Sequence, residues 1–328
     1  MYIMLPLKHI TVQTTNACEF QCPGCFIRKN NSSIDYQILI DKIINPLPTL
    51  GGRSIGFTGG EPLLYHRIYD ALSAAKGHGL RTSLVSHGGT INSNSILKLK
   101  EVNLDSLQIS LDSIVEEDND RLRFAGSLKY ALNAVKLATN EGINVSLVAV
   151  PNKSLLNTFE EYVQNAIDNK IKKIYLRRIV DYTKDKDIVR LKCSHENFLE
   201  KVHKVSVQYK DLISIISNDP LYYAYYSSIT DDRTIFAGCM AGISSLAISA
   251  EAIITPCTHF PLMLADLHSC DIKDVWENDE RLLMLRQRTL KGKCAVCLKR
   301  YSCGGCRASA YLCTEDYLQE DKMCNIIV

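Results

Sequence analysis

Six short β-branched runs, each followed by a longer stretch with apolar residues at helical spacing, fill the chain from residue 8 to about residue 180. The runs are HITVQTT from His9, SIGFTGG from Ser54, RTSLVSH from Arg81, SLQISLD from Ser106, NVSLVAV from Asn144 and KIYLRRI from Lys173. The five helical stretches between them are YQILIDKIINPL, IYDALSAAKGHG, SNSILKLKEVN, LKYALNAVKLATNEG and TFEEYVQNAIDNK, several of them ending in Gly or Asn. Strand then helix, repeated, implies parallel strands joined by right-handed crossovers. Six units fall short of the closed eight-unit barrel, so the pattern predicts an α/β chain built on an open, partial (β/α)6 TIM-like barrel, followed by a small cysteine-rich α+β region. In such barrels chemistry sits in the loops after the C-terminal ends of the strands. Those loops here carry a cysteine triplet, a GGEP turn and a Ser-Leu-Asp triplet.

The alternation divides the chain into a barrel over 1–181, a charged and then helical bridging region over 182–232, and the cysteine-rich segment over 233–328. A net charge of +2 and 46% hydrophobic residues exclude a bias toward nucleic acid or a membrane surface. The N-terminus has neither the basic region nor the apolar core of a secretory signal. Thirteen cysteines in a chain of 328 residues, odd in number and clustered in close pairs, fit metal binding in a reducing cytoplasm better than a secreted disulfide framework. The tyrosine-rich stretch Leu221 to Ile229 reads as packing at a domain junction, with a substrate entrance as its alternative.

Cys18, Cys22 and Cys25 form the run CEFQCPGC directly after the first strand. Three thiolates hold three corners of an iron–sulfur cube and leave one iron open to an outside ligand, whereas structural metal sites are closed. The alternatives are a zinc or a disulfide site. Zinc is poorly served, because no histidine or fourth cysteine lies close by in sequence and His9 sits at the opposite end of the strand. Gly59-Gly60-Glu61-Pro62 follows the second strand. Paired glycines allow close backbone approach to a ligand, and the Glu61 carboxylate with neighbouring carbonyls offers acceptors to an ammonium; a plain tight turn is the other reading.

Together these residues resemble the radical S-adenosylmethionine (SAM) enzymes. CEFQCPGC resembles that family's cluster loop, and Gly59, Gly60, Glu61 and Pro62 its methionine-amine motif. Ser110-Leu111-Asp112 resembles the ribose and carboxylate contact, while Ser86-His87-Gly88 stands where relatives often show Thr-Asn-Gly, which makes His87 a departure. Gly24 is another, since an aromatic usually precedes the third cysteine; Phe26 is the candidate to replace it against adenine. The resemblance implies a [4Fe–4S] cluster that binds SAM, its reductive cleavage to a 5′-deoxyadenosyl radical, and hydrogen abstraction from a substrate. It also implies a flavodoxin- or ferredoxin-type electron donor.

The tail carries Cys239, Cys257, then Cys294-x₂-Cys297-x₅-Cys303-x₂-Cys306, then Cys324. Thiols this dense bind metal or form disulfides, and two C-x₂-C pairs suit a tetrahedral zinc. CMAG, TPC, CGGCRA and the DIKDVWEND helix around Trp276 resemble instead the SPASM extension of the radical SAM family, which carries auxiliary [4Fe–4S] clusters. By that resemblance Cys294, Cys297, Cys303 and Cys324 enclose one cluster, and Cys239, Cys257 and Cys306 hold part of a second, with Cys270 a candidate fourth ligand by proximity in sequence. Ala252 replaces a turn glycine of relatives. Cys193 and Cys313 read as packed thiols, and His259 and His268 as surface or capping residues. The resemblance implies a peptide-modifying oxidoreductase that crosslinks, epimerises or oxidises a ribosomally made peptide. The first strand begins almost at the N-terminus, so a separate protein delivers any leader peptide or the substrate has none. Tetrapyrrole side chains or another small molecule form the enzymatic alternative, and an iron–sulfur electron carrier or zinc scaffold the non-enzymatic one.

Overall fold

A computed structural model describes residues 5–27, 29–180, 195–226 and 238–325. All six expected strands form: β1 His9–Gln13, β2 Ser54–Thr58, β3 Arg81–Ser86, β4 Ser106–Ser110, β5 Val145–Ala149 and β6 Lys173–Leu176. They pair in parallel in sequence order, an open partial barrel. The helices Ile68–Gly77, Ser93–Glu101, Ser127–Asn140 and Phe159–Asp168 cover its outer face. The first connection is a short α-turn running into the π-helix Leu39–Ile44.

Alternation along each strand separates the two faces. Ile10, Val12, Ile55, Phe57, Leu84, Leu107, Ile109, Leu147, Ile174 and Leu176 are buried in one apolar core with the helices. The opposite parity carries His9, Thr11, Ser54, Ser83, Ser106, Gln108, Ser110, Ser146 and Tyr175, so the lumen is lined by hydrogen-bonding groups. His9 Nδ1 lies 2.8 Å from Ser54 Oγ, His9 Nε2 is 3.1 Å from Thr11 Oγ1, and Ser106 Oγ is 3.4 Å from Ser146 Oγ.

The sheet is larger than the alternation foretold. A seventh parallel strand, β7 (Ser214–Ser217), lies beside β6 and follows the helix His195–Gln208. On the other edge β8 (Ser245–Ile248) pairs in parallel with β1. It continues as an antiparallel meander through β9 (Ile253–Thr255) and β10 (Ala265–Asp266). The cysteine-rich region therefore shares one ten-stranded sheet with the barrel. Ala252 takes a left-handed φ of 62°, so the β8–β9 turn keeps the shape a glycine would give it. The Trp276 indole N–H donates to the Leu5 carbonyl (2.9 Å) and its ring carries Arg286 at 3.9 Å, which binds the helix Ile272–Asn278 to the chain's start. No helix among the described residues is long and apolar enough to cross a membrane.

Candidate active site

The loop after β1 is seated backbone against backbone. Gly60 N–H donates to the Thr15 carbonyl (2.7 Å) and Glu61 N–H to that of Ala17 (2.8 Å). A Cβ on Gly59 would stand 2.5 Å from the Thr15 oxygen, and one on Gly60 2.2 Å from the Ala17 oxygen. The seating of the cysteine loop thus by itself requires glycine at both positions. Aromatic packing holds the loop from the other side, with the Phe20 ring stacked on Phe124 at 3.6 Å and edge-on to His87 at 4.9 Å.

Within this frame Cys18 and Cys22 are partly buried and Cys25 is exposed. Burial pushes the Cys22 thiol up to about 11, with Arg123 and Lys29 drawing it down and the thiols of Cys25 and Cys18 adding to the rise. Burial likewise raises Cys18. A metal reverses such shifts, since a coordinating thiol is deprotonated. Folding also brings a histidine to the triplet, contrary to the reading of the local sequence. Ligand atoms of Cys18, Glu19 and His87 lie within 4.8 Å of one another. His87 arrives from the turn after β3, 69 positions further along, and therefore leaves no local spacing signal.

Glu61 is fully buried. Its carboxylate accepts from the Ser86 hydroxyl (3.0 Å), the His87 N–H (3.2 Å) and the Leu63 N–H (3.3 Å), and lies 3.1 Å from His87 Nε2. Burial raises Glu61 to about 7 against those donors, and burial lowers His87 to about 4 in spite of Glu19. Pro62 opens the 3₁₀ turn Pro62–Leu64 that Glu61 caps. At the end of β4, Asp112 accepts from the Val150 N–H (2.8 Å) and pairs with Arg123 Nε (2.8 Å). Ser110 stays on the lumen side, and its hydroxyl has no partner among the described residues. Phe26 packs its ring 4.5 Å from that of His259, linking the first cysteine loop to the segment of Cys257.

Cys294, Cys297, Cys303 and Cys324 line one pocket together with Leu221, Ala224, Gly304 and Gly305. No three of the four bring their sulfurs within 4.8 Å of each other. A tetrahedral zinc with Zn–S near 2.3 Å needs sulfurs about 3.8 Å apart, closer than any three of these stand. Burial takes Cys257 to about 11 and Cys306 higher still, and the Cys239 thiol adds to both rises. Every described cysteine is free, which removes the disulfide reading among them.

Cys270 stands apart. Its thiol donates to the Asp266 carbonyl (3.1 Å), and the charges acting on it are those of Asp266, Asp271, Lys42 and Asp274, with no cysteine among them. Cys313 is exposed, not packed, on the helix Arg307–Thr314. His259 is partly buried, with burial first and then Arg177 lowering it to about 4, whereas exposed His268 pairs with Asp266 at 2.6 Å. The helix Pro220–Tyr226 packs at the junction as expected, Leu221 and Ala224 meeting Cys303. Cys193, the charged start of the bridging region and the end of the tyrosine stretch lie outside the described residues.

Two residues escaped the sequence reading. Arg123 sits beside Cys22 and His87. Arg288 is buried in a left-handed conformation and donates to the Cys239 carbonyl (2.9 Å), with Cys239, Cys303 and Cys294 among the charges that act on it. Its Nη1 is buried with no hydrogen-bond partner among the described residues. A guanidinium between both tail groups suits thiolate-rich, anionic clusters. Its only sequence signal was an arginine before the cysteine run.

A partial parallel barrel with this cysteine loop defines a class. Residues 12–166 match the Radical SAM superfamily, so the chain carries a radical SAM domain and is an enzyme. Its cofactors are those of the superfamily, a [4Fe–4S] cluster and SAM. Among curated relatives, the "AdoMet-dependent heme synthase" of Methanosarcina barkeri is 21% identical over 96% of this chain and 95% of its own. Among solved structures, Streptococcus suis SuiB bound to its precursor peptide SuiA superposes with a TM-score of 0.80 at 19% identity, over 99% of this chain and 77% of that one. The enzyme anSMEcpe with bound AdoMet and Cp18Cys peptide gives 0.76 at 16% identity, over 97% and 94%. These likenesses establish the fold.

Proposed function

We propose that this enzyme is of the SPASM type and modifies a ribosomally made peptide by crosslinking, epimerisation or oxidation. In this reading Cys18, Cys22 and Cys25 hold the SAM-binding cluster. Cys294, Cys297, Cys303 and Cys324 hold one auxiliary cluster, and Cys239, Cys257 and Cys306 hold part of another. Bound there, the first cluster and SAM supply the 5′-deoxyadenosyl radical that removes a hydrogen atom from substrate. The chain's part is to seat, orient and shield. Glu61 holds the Ser86–His87 turn against β2, which leaves the carbonyls of Gly59 and Gly60 as acceptors for the methionyl ammonium. Asp112 fixes Arg123, whose charge suits the methionyl carboxylate. The Ser110 hydroxyl is free for the ribose, and Phe26 is the aromatic next to the adenine side.

The sorting of the tail cysteines carries the SPASM reading, because Cys294, Cys297, Cys303 and Cys324 share one pocket while Cys306 does not line it. The polar lumen supports a peptide, whose amides need hydrogen-bonding partners when desolvated. A second reading, a tetrapyrrole substrate, is favoured by the heme synthases that align along nearly the whole chain. Anaerobic reconstitution with iron and sulfide, then SAM and a strong reductant, should yield 5′-deoxyadenosine, and changing Cys18, Cys22 and Cys25 together to Ala should abolish it. Zinc in place of iron, or cleavage that survives the triple change, refutes the site. A mass change in a peptide, against one in a porphyrin, separates the two substrates.

A further inference from the structure

Arg177, one residue past β6, follows the parity of Lys173 and Tyr175, opposite to the core residues Ile174 and Leu176. Its N–H donates to the Ala149 carbonyl (2.8 Å), which fixes the backbone at the end of the strand. The partly buried side chain reaches inward across the lumen, and Nη2 lies 3.5 Å from Gln108 Oε1 on β4. The same charge lowers His9 and His259, so the guanidinium sits near both. Burial lowers its own pKa, and the charges that act on it are the Cys257 thiol and the Tyr175 phenol, with no carboxylate.

Its neighbour shows what a satisfied buried arginine looks like in this fold. Arg178 Nη1 meets Asp219 at 2.6 Å, and its Nη2 meets Asp321 at 2.7 Å. Among the described residues Arg177 meets only the neutral amide of Gln108. A cation withdrawn from water without a counter-charge is costly, and its natural complement is a carboxylate taken in bidentate fashion. The lumen serines Ser54, Ser106 and Ser146 and the neutral His9 carry no negative charge to offset it.

We infer that Arg177 anchors a substrate carboxylate within the lumen: an Asp or Glu side chain, or the C-terminus, of the peptide. This rests on the reading of the chain as a peptide-modifying enzyme. The test uses the reconstituted enzyme with SAM. Its probes are short, otherwise uncharged peptides, blocked at both ends and carrying Asp or Glu, with Asn or Gln counterparts and a set with a free C-terminus. A porphyrin dicarboxylate and its dimethyl ester form a separate arm, and equilibrium binding is measured. Carboxylate probes should bind about tenfold more tightly than their neutral partners. Arg177→Gln should erase that ratio, and Arg177→Lys, which keeps the charge in the lumen, should retain part of it. A ratio that persists in Arg177→Gln, or no ratio in the unaltered enzyme for any probe, overturns the anchor. So does a variant in which only the reduction potential of a cluster moves, since Arg177 would then be a counter-charge for the Cys257 group. Peptides that bind without a carboxylate preference leave the peptide reading standing and remove the anchor. A ratio confined to the porphyrin pair and lost in Arg177→Gln keeps the anchor and removes the peptide.

Discussion

Gly60 has no room for a side chain, because the atoms nearest its missing Cβ are the backbone of Asn16 and Ala17, which cannot rotate away. Gly60→Ala should therefore displace the loop of Cys18, Cys22 and Cys25 or strain it by about 1–3 kcal/mol. The expected outcome is a folded protein that loses iron from the first site and forms 5′-deoxyadenosine at least about tenfold more slowly. Wild-type iron content and rate in this variant would show that the seating contact does not matter. Glu61 belongs to the same frame. The sequence offered it as an acceptor for a ligand, yet it serves Ser86, His87 and Leu63. Nothing local marks a carboxylate as inward-facing when its partners lie 25 and 26 positions away. Glu61→Gln keeps the shape but places an amide where donors converge. It should shift the urea midpoint downward at neutral pH, and an unchanged midpoint would mean that those donors find water instead.

At the scale of elements, the six barrel strands were legible because each is β-branched, bounded by turn residues and followed by a helical period. β7 was not. Ser214-Ile-Ile-Ser217 is four residues long and follows a helix in a stretch read as helical, so only its pairing with β6 makes it a strand. The tail cysteines stood out in the sequence and their grouping came from the family resemblance, but the ionic network that braces them was not legible, because it joins three distant elements. Arg178 at the end of β6 holds Asp219, which caps the helix Pro220–Tyr226 through the Leu221 N–H (2.9 Å), and Asp321 of the tail. Asp321 in turn accepts from the Cys306 N–H (2.8 Å). Arg178→Met leaves two buried carboxylates without their cation. It should cost about 3–5 kcal/mol in urea unfolding and lower iron bound at the tail cysteines. Loss of stability without loss of iron would separate the brace from the cluster segment.

Three withdrawn histidines, His9 on β1 and His87 and His259 in loops, have shifts that set how the whole fold responds to acid. Burial holds His9, His87 and His259 at about 4, with Arg177 assisting at His9 and His259. Each stays neutral in the folded chain while its unfolded counterpart titrates near 6.5. Between about pH 6.5 and pH 4 the unfolded chain therefore binds more protons, so these groups make stability rise with pH. Their contribution is complete above the upper limit and is lost as pH falls toward the lower one. Glu61 has the opposite sign: raised to about 7, it favours the folded chain at low pH and loses that advantage as pH rises from its unfolded value of 4.5. Three groups outweigh one, so the metal-free chain should have a lower urea midpoint at pH 5 than at pH 7. Between those two pH values the change is on the order of 2 kcal/mol for each histidine. His9→Gln, which retains hydrogen bonding to Ser54, should reduce the difference by about half, because Glu61 offsets roughly one of the three histidine contributions. A midpoint that rises on acidification would mean that Glu61 dominates and that the histidines are already solvated in the folded chain.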